Sequence, residues 1–333
     1  MGHPIENIHM GKPTVAILGA SGVGKHHAKW FHLAGCDVVG FAGTSSESCN
    51  MTAAVLKDIF PFEGQPYTDV ESMLDELQPH MVSVCTPSYI HGPHVIRSLE
   101  AGCQVLCEKP LLWEASQSVD ELLAEGDSML AGRVEGQTLA VNLQFAAGVA
   151  PYRKVYREAT GAELGAIREF SMHWTPRPGA TERAPEWYWN DLGPHALSIL
   201  LGLAPDARLI PDSIDCQIFK EGTETRFFLK TEGGDCSVRI DLTAPVEGQM
   251  VREFGANGLV VGYSSEPDAS GQFRSFLTLD EKKWDFEDFM KRSIERFIGS
   301  AARSDGDPFV SGVQGLHNLR MQLQIFNAAR RMD

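Results

Sequence analysis

Thr14 to Leu18 (TVAIL) is an apolar, strand-forming run that passes directly into Gly19-Ala20-Ser21-Gly22-Val23-Gly24 and then into a helical pattern. Strand, glycine turn and helix in that order constrain the chain more than any other segment, because they open a βαβ unit and so a parallel sheet. Glycines let the backbone turn tightly and approach a pyrophosphate, and the next helix aims its first N–H groups and positive dipole end at the phosphates. Gly19, Ser21, Gly22, Val23 and Gly24 are therefore candidate dinucleotide contacts, against the alternative of a merely tight structural turn. Ser21 stands where a GxGxxG pattern has its middle glycine.

The alternation continues with a strand over Asp37–Ala42, a helix over 69–77, a strand over 81–85, a helix over 93–101 that ends at Gly102, and a strand over 103–107. A helix over 117–130 and a strand over 138–143 complete it. This pattern predicts a doubly wound parallel sheet over residues 1–143, with ligands in the crevice outside the carboxyl ends of the strands. Gly19, Thr86-Pro87 and Lys109 fall on that edge. After the second strand, where an acidic side chain usually holds the ribose 2′-hydroxyl, the chain has Gly43-Thr44-Ser45-Ser46. No carboxylate there repels a 2′-phosphate, and the hydroxyls of Thr44 and Ser45 can donate to one. The expected cofactor is NAD(P) with a lean to NADP, although no arginine stands nearby and Lys57 is too distant to assign.

The stretch Cys103 to Leu111, CQVLCEKPL, takes an apolar strand abruptly into a carboxylate, an ammonium and a proline. Lys109 there can bind a substrate hydroxyl or pass a proton; the alternative is a solvated strand terminus. A second constellation is Asn190-Asp191-Leu192-Gly193-Pro194-His195, followed by apolar positions at helical spacing. Asp191 and His195 are four apart, so a helix beginning near Pro194 can turn both to one crevice, where the carboxylate orients the imidazole and raises its basicity. A histidine of near-neutral pKa is a natural proton acceptor when a hydroxyl loses hydride. The alternative is an Asp cap on a helix with a packed histidine.

Beyond about residue 145 β-rich runs follow one another at 167–174, 216–219, 226–230, 236–242, 258–263 and Phe273–Leu279, then helices at 286–302 and 311–331. This predicts an α+β domain over 144–333 with a mainly antiparallel sheet, homodimer or homotetramer formation through that sheet, and a last helix that packs back across the domains. Glu186-Trp187-Tyr188-Trp189 precedes Asp191. Trp174, Trp187 and Trp189 are candidate stacking surfaces for a sugar ring, or they fill a core or interface. Arg177 and Arg183 can meet an anionic substituent, or are solvated loop charges.

A net charge of −15 argues against nucleic acid or an anionic membrane as partner and leaves a small molecule. No run approaches the roughly 18 apolar residues that span a bilayer, the first residues MGHPIENIHM have no hydrophobic signal segment, and the expected location is cytoplasmic. Seven cysteines include no CxxC pair and sit mostly in apolar segments, so reduced buried thiols and no metal site are expected.

Taken in order, Gly19 to Gly24 with His27-Ala28, Thr86-Pro87 with His91, Glu108-Lys109-Pro110, and Asp191 with His195 resemble the glucose-fructose oxidoreductase, inositol dehydrogenase and rhizopine-catabolism (Gfo/Idh/MocA) family over nearly the whole chain. The resemblance implies a Rossmann domain followed by an α/β domain on a large open sheet, NAD(P) binding, and redox chemistry at a carbinol of a sugar, cyclitol or related compound. It makes Lys109 the catalytic lysine, His195 the acid/base histidine and Asp191 their support, and adds Thr86, Pro87, His91, Glu108 and Lys109 to the cofactor-binding set. The chain departs from the pattern at Ser21, at Ser198, where many members carry a second aspartate, and in lacking a glycine-rich approach to Asp191. Two other functions are compatible with the same residues: an NAD-dependent glycosidase using transient oxidation with tightly bound NAD, and a non-catalytic sensor of a dinucleotide or sugar.

Overall fold

The computed structural model describes residues 12–176, 184–245, 249–303 and 306–332. The chain divides into two units, one running to Cys107 and taking up Gly132–Leu139 again, the other comprising Glu108–Ala131 and the chain from Ala140 onward.

The first unit alternates β1 (Thr14–Leu18), α1 (Gly24–Leu33), β2 (Asp37–Ala42), α2 (Ser46–Ile59), β3 (Gln65–Tyr67), α3 (Val70–Leu77), β4 (Met81–Val84), α4 (His91–Glu100) and β5 (Gln104–Glu108). With β6 (Leu139–Asn142), which follows α5 (Val119–Ala131), these strands form a parallel sheet in the order β3-β2-β1-β4-β5-β6. Every residue of β4 is buried, and so are all of β1 and β5 beyond their first residues, which is why these strands read as continuous apolar runs rather than as alternations. Capping sets the helix starts. Ser45 accepts from Ser48 N and Ser48 reciprocates on Ser45 N ahead of α2, and Asp69 accepts from Ser72 N ahead of α3.

The second unit continues with α6 (Val149–Thr160), β7 (Glu169–Trp174), the single turn α7 (Pro185–Trp187), a π-helical turn at Tyr188–Leu192 and α8 (Gly193–Leu203). Then come β8 (Arg208–Leu209), β9 (Asp215–Phe219), β10 (Gly222–Thr231), β11 (Gly234–Thr243), β12 (Arg252–Ala256), β13 (Leu259–Pro267), β14 (Phe273–Leu279), β15 (Lys282–Glu287), α9 (Phe289–Ala301), α10 (Gly312–Asn327) and β16 (Arg330–Arg331). Among the described residues the sheet order is β15-β14-β13-β12-β7-β11-β10-β9-β16, with β8 added on β10. The pairing is mixed but mainly antiparallel: β7 runs parallel to β11 and β9 to β16.

The inner face of this sheet is a clear period-2 pattern. Phe227 and Leu229 of β10 are buried while Phe228 and Lys230 point out, and Phe170, Met172 and Trp174 of β7 are buried. They pack with α8, whose Ala196, Leu197, Ile199 and Leu200 are all buried, as a helix apolar on most sides must be.

The helix expected over 286–302 is α9 but starts later, at Phe289: Phe286 and Glu287 end β15, and Asp288 accepts from Met290 N and Lys291 N and so caps the helix there. Helices α2 and α6 and strand β12 add to the predicted elements. The units also divide otherwise than by one boundary after residue 143. Helix α5 packs on α10 in the second unit, and Gly126 makes room for it: a Cβ there would stand 2.5 Å from Leu316 Cδ1. The last helix, α10, also packs on α8.

Candidate active site

In the first unit β1 ends in a turn that only glycine satisfies. Gly19 has φ +84°, and a Cβ there would lie 2.8 Å from the Cys85 carbonyl oxygen; a Cβ on Gly24 would lie 2.3 Å from the Gly19 oxygen. Turn, helix and neighbouring strand end are therefore packed backbone on backbone, and Cys85 N donates to Leu18 O at 2.8 Å. Ser21 and Gly22 are exposed, and a Cβ on Gly22 would meet nothing within 4 Å, so the front of the loop is open. Ser21 has no positive φ, which is why serine fits where the family pattern has glycine. No side chain caps the start of α1 at Val23. An open glycine loop ahead of an uncapped helix N-terminus fits the phosphates of a dinucleotide.

At the end of β4, Thr86 Oγ1 meets His94 Nδ1 at 3.1 Å and His91 Nε2 donates to Thr86 O at 2.8 Å. Since His91 is 1% exposed, it braces the Thr86 turn from within and does not face a ligand directly. Behind the glycine loop the buried His27 meets Ser83 Oγ at 2.8 Å through Nδ1. Thr44 and Ser45 lie exposed at the start of α2. The Ser45 hydroxyl accepts from Ser48 N, so its own proton is free to be donated elsewhere.

The second unit holds the expected acid/base residues Lys109, Asp191 and His195. Lys109 Nζ donates to Asp191 Oδ1 at 2.7 Å and to Asp191 O at 3.1 Å. The carboxylate that was expected to orient His195 is thus engaged by Lys109. The reason is local: Asp191 lies in the π-helical turn, and α8 begins only at Gly193, so the two residues do not share the regular helix that the four-residue spacing assumed. Glu108 is buried, accepting from Asn142 Nδ2 at 2.6 Å and from Lys109 N at 3.2 Å, so this expected cofactor contact holds the strand end that carries Lys109. The Lys109–Pro110 peptide is cis.

His195 is 8% exposed, and its Nδ1 is buried without a hydrogen-bond partner among the described residues. Burial pushes its imidazole well below the usual histidine range, the charges of Lys109 and Arg252 push the same way, and Glu108 opposes them. The ring is therefore neutral at neutral pH, able to accept a proton but a weaker base than an exposed histidine. Phe145 packs edge-on against it at 4.8 Å between centroids, and Ser198 Oγ donates to His195 O at 2.7 Å, a bond within α8.

The tryptophans divide. Trp189 is fully buried with Nε1 donating to Gln322 O, and Trp174 is 2% exposed, stacked on Tyr263 at 5.5 Å, so neither presents a free stacking face. Trp187 is partly buried, edge-on to Tyr188. Arg177 and Arg183 lie outside the described residues. Phe145, Tyr263 and Arg252, which surround His195 and Trp174, had no sequence signal: they come from three separate segments and only the folded sheet joins them. Among the described residues no helix is long and apolar enough to cross a membrane.

Residues 14–131 match the model of the Gfo/Idh/MocA family, described as an oxidoreductase family with an NAD-binding Rossmann fold. The chain is 48% identical over 44 residues to a D-glucoside 3-dehydrogenase of Escherichia coli, a match covering 13% of this chain and 12% of that protein. It is 29% identical over 122 residues to the levoglucosan dehydrogenase of Pseudarthrobacter phenanthrenivorans, covering 36% of this chain and 30% of that protein. The matched segments thus span less than a third of either relative's length. A 3-ketoreductase from Actinomadura kijaniata, solved with NADP and TDP-benzene, superposes with a TM-score of 0.71 over 97% of this chain and 99% of that one at 17% identity, which is a likeness of fold.

Proposed function

We propose that this chain, which belongs to the Gfo/Idh/MocA oxidoreductase family, is an NAD(P)-dependent dehydrogenase or reductase acting on a carbinol or ketone carbon of a sugar, cyclitol or related polyhydroxylated molecule. The observation that carries the reading is His195, a buried neutral imidazole with an unpartnered ring nitrogen, beside a lysine locked by a carboxylate. A buried nitrogen without a partner among the described residues costs stability, which supports a role for this imidazole in meeting a polar ligand.

Bound NAD(P) supplies the hydride acceptor in oxidation and the donor in reduction. In oxidation His195 takes the hydroxyl proton as the carbinol carbon gives up its hydride; in reduction the same proton returns. Lys109 donates a hydrogen bond to the substrate oxygen and stabilises negative charge as it develops, while Asp191 fixes the ammonium in place. Glu108 and Asn142 hold the strand end from which Lys109 projects. Exposed Ser21 and Gly22 with the α1 N-terminus would carry the phosphates, and Thr44 and Ser45 favour NADP, since no acidic side chain occupies 43–46. The names of the sequence relatives, dehydrogenases of a glucoside and of levoglucosan, favour sugar-like substrates.

The test is titration of the purified protein with NADPH and NADH followed by fluorescence, an aliquot being denatured to release any retained nucleotide, and then turnover on neutral and charged sugars and inositols with both cofactors. Exchangeable binding with turnover supports the proposal. Retained NAD that does not exchange points instead to a glycosidase, and nucleotide binding without turnover on the whole panel points to a sensor.

A further inference from the structure

Thr86 stands two residues past the end of β4 and against the glycine turn that follows β1: a Cβ on Gly19 would lie 3.1 Å from Thr86 Cα. A dinucleotide resting on that turn lies beside this residue. Two histidines of α4 hold it. His91 Nε2 donates to Thr86 O at 2.8 Å, and His94 Nδ1 meets Thr86 Oγ1 at 3.1 Å. Residues three apart on a helix share a face, so the pair takes both the backbone and the side chain of one residue at the strand end. Burial first, and then the charge of His91, hold the half-buried His94 imidazole below the ordinary histidine range, so at neutral pH its bond to Thr86 joins two neutral groups.

A threonine hydroxyl offers one proton and two lone pairs. Among the described residues Thr86 Oγ1 has no hydrogen-bond partner besides His94. That bond takes one of the three positions and fixes the direction of the other two, whichever partner supplies the proton. We infer that His94 is a positioning residue for the nucleotide, setting the Thr86 hydroxyl so that its remaining positions meet NAD(P). The inference rests on the proposed dehydrogenase reading, in which Thr86 touches the cofactor, and goes beyond it by naming the group that aims the contact. An apolar side chain would fill the space behind the strand end without desolvating an imidazole. A hydroxyl fixed in advance also spares the nucleotide the cost of immobilising it.

The experiment is fluorescence titration of the full-length protein with NADPH and NADH for wild type, His94→Leu, His94→Asn, Thr86→Val and the double variant His94→Leu with Thr86→Val, with thermal unfolding followed in parallel. His94→Leu should weaken binding of the nucleotide that wild type prefers by roughly 3- to 10-fold, the scale of one hydrogen bond. The double variant should bind no more weakly than Thr86→Val alone, because both changes remove the same contact. His94→Asn sets an amide near the place of Nδ1 and should restore wild-type affinity to within about twofold, whereas His94→Gln sets it one bond too far and should behave as His94→Leu, so it carries the test where the apolar variant does not fold. In turnover the loss should appear in KM for the nucleotide, with kcat at saturation within a few-fold of wild type. A lower melting temperature with unchanged nucleotide affinity reduces His94 to a brace of the fold and overturns the inference. So do losses that multiply in the double variant. Wild type that binds nucleotide, with variants that bind it equally well, overturns this inference alone; wild type that binds neither nucleotide sinks the dehydrogenase reading with it.

Discussion

Lys109 and Asp191, 82 positions apart in sequence, meet at 2.7 Å with a second bond from the same ammonium to the Asp191 carbonyl. Two bonds from one Nζ fix the direction of its third proton, which a freely rotating lysine would not do. Positioning of this kind matters more to a transition state than to a ground state, because the ammonium must already stand where charge develops. Lys109→Met is expected to lower turnover at least roughly 100-fold. Asp191→Asn, which frees the lysine without removing it, should cost roughly 10- to 100-fold. Both variants should keep NADPH binding, measured by fluorescence. Near-normal turnover of Lys109→Met would end its assignment to proton or charge stabilisation.

His195 supplies a prediction in pH. Its folded-state proton affinity lies well below the ordinary histidine value, from burial first, then Lys109 and Arg252, with Glu108 opposing. The neutral base therefore persists below pH 6.5, and the acid limb of kcat/KM should fall well under that value. Stability follows the same linkage. Below the unfolded pKa of about 6.5 the unfolded chain binds a proton that the folded chain refuses, so this residue's contribution is lost as pH falls, by up to about 1.4 kcal/mol per pH unit until the folded pKa is reached. Removing the Lys109 charge in Lys109→Met should raise the His195 titration point, read by NMR of its ring nitrogens. A downward or absent shift would contradict the proximity of these charges.

The glycine loop separates packing from binding. Gly24→Ala places a Cβ 2.3 Å from a backbone oxygen that cannot move aside, and should lower stability by roughly 1–3 kcal/mol. Gly22→Ala meets nothing within 4 Å and should leave the melting temperature unchanged or slightly raised. Its methyl nevertheless projects into the open front of the loop, so NAD(P)H affinity should fall. Unchanged affinity in Gly22→Ala would remove the loop from the nucleotide site.

Trp189 tests the core assignment. It is fully exposed to none of the solvent, and its indole N–H is satisfied by Gln322 O. Trp189→Ala should cost roughly 3–5 kcal/mol in denaturant unfolding. Trp189→Phe should cost less and leave substrate KM within a few-fold. A large KM change in a stable Trp189→Phe protein would restore the stacking role.

The sequence carried what is local and lost what is long-range. Strand β1 with its glycine turn and the β5 strand ending in Glu108-Lys109-Pro110 could be read because each packs its information into about ten consecutive residues. Lys109, Asp191 and His195 could be named as candidates for the same reason. Their pairing could not, since a π-helical turn of five residues sets Asp191 off from α8 and no sequence pattern marks such a turn. The Trp187-Tyr188-Trp189 run was equally compatible with a surface and a core, and burial decided it for Trp189. Arg252, Tyr263 and Phe145 carry no shared sequence signal because they stand at the start of β12, in the middle of β13 and in a short helical turn ahead of α6, and only the folded domain brings them together. The start of α9 is displaced by three residues from its expected place because Phe286, the last apolar residue of β15, runs without a glycine or proline break into Phe289.

Cofactor choice turns on the short segment after β2. Thr44 and Ser45 are exposed there, ahead of α2, and Ser45 uses its oxygen to cap the helix while its proton remains to be donated. A 2′-phosphate placed near this segment would gain from those hydroxyls and from the positive end of α2, whereas a bare ribose hydroxyl would gain little from the latter. A carboxylate introduced at this point reverses the balance, since it accepts from a 2′-hydroxyl but repels a phosphate. Thr44→Asp should therefore weaken NADPH binding by roughly tenfold or more while NADH binding holds or improves, a change on the order of 1.4 kcal/mol or more in relative affinity. Ser45→Ala should lower helix stability by about 1 kcal/mol through the lost cap, and weaken NADPH more than NADH. Paired fluorescence titrations of wild type and the two variants decide the matter. Equal affinities of wild type for the two nucleotides, unmoved by Thr44→Asp, would place the 2′-position of the ribose away from this segment.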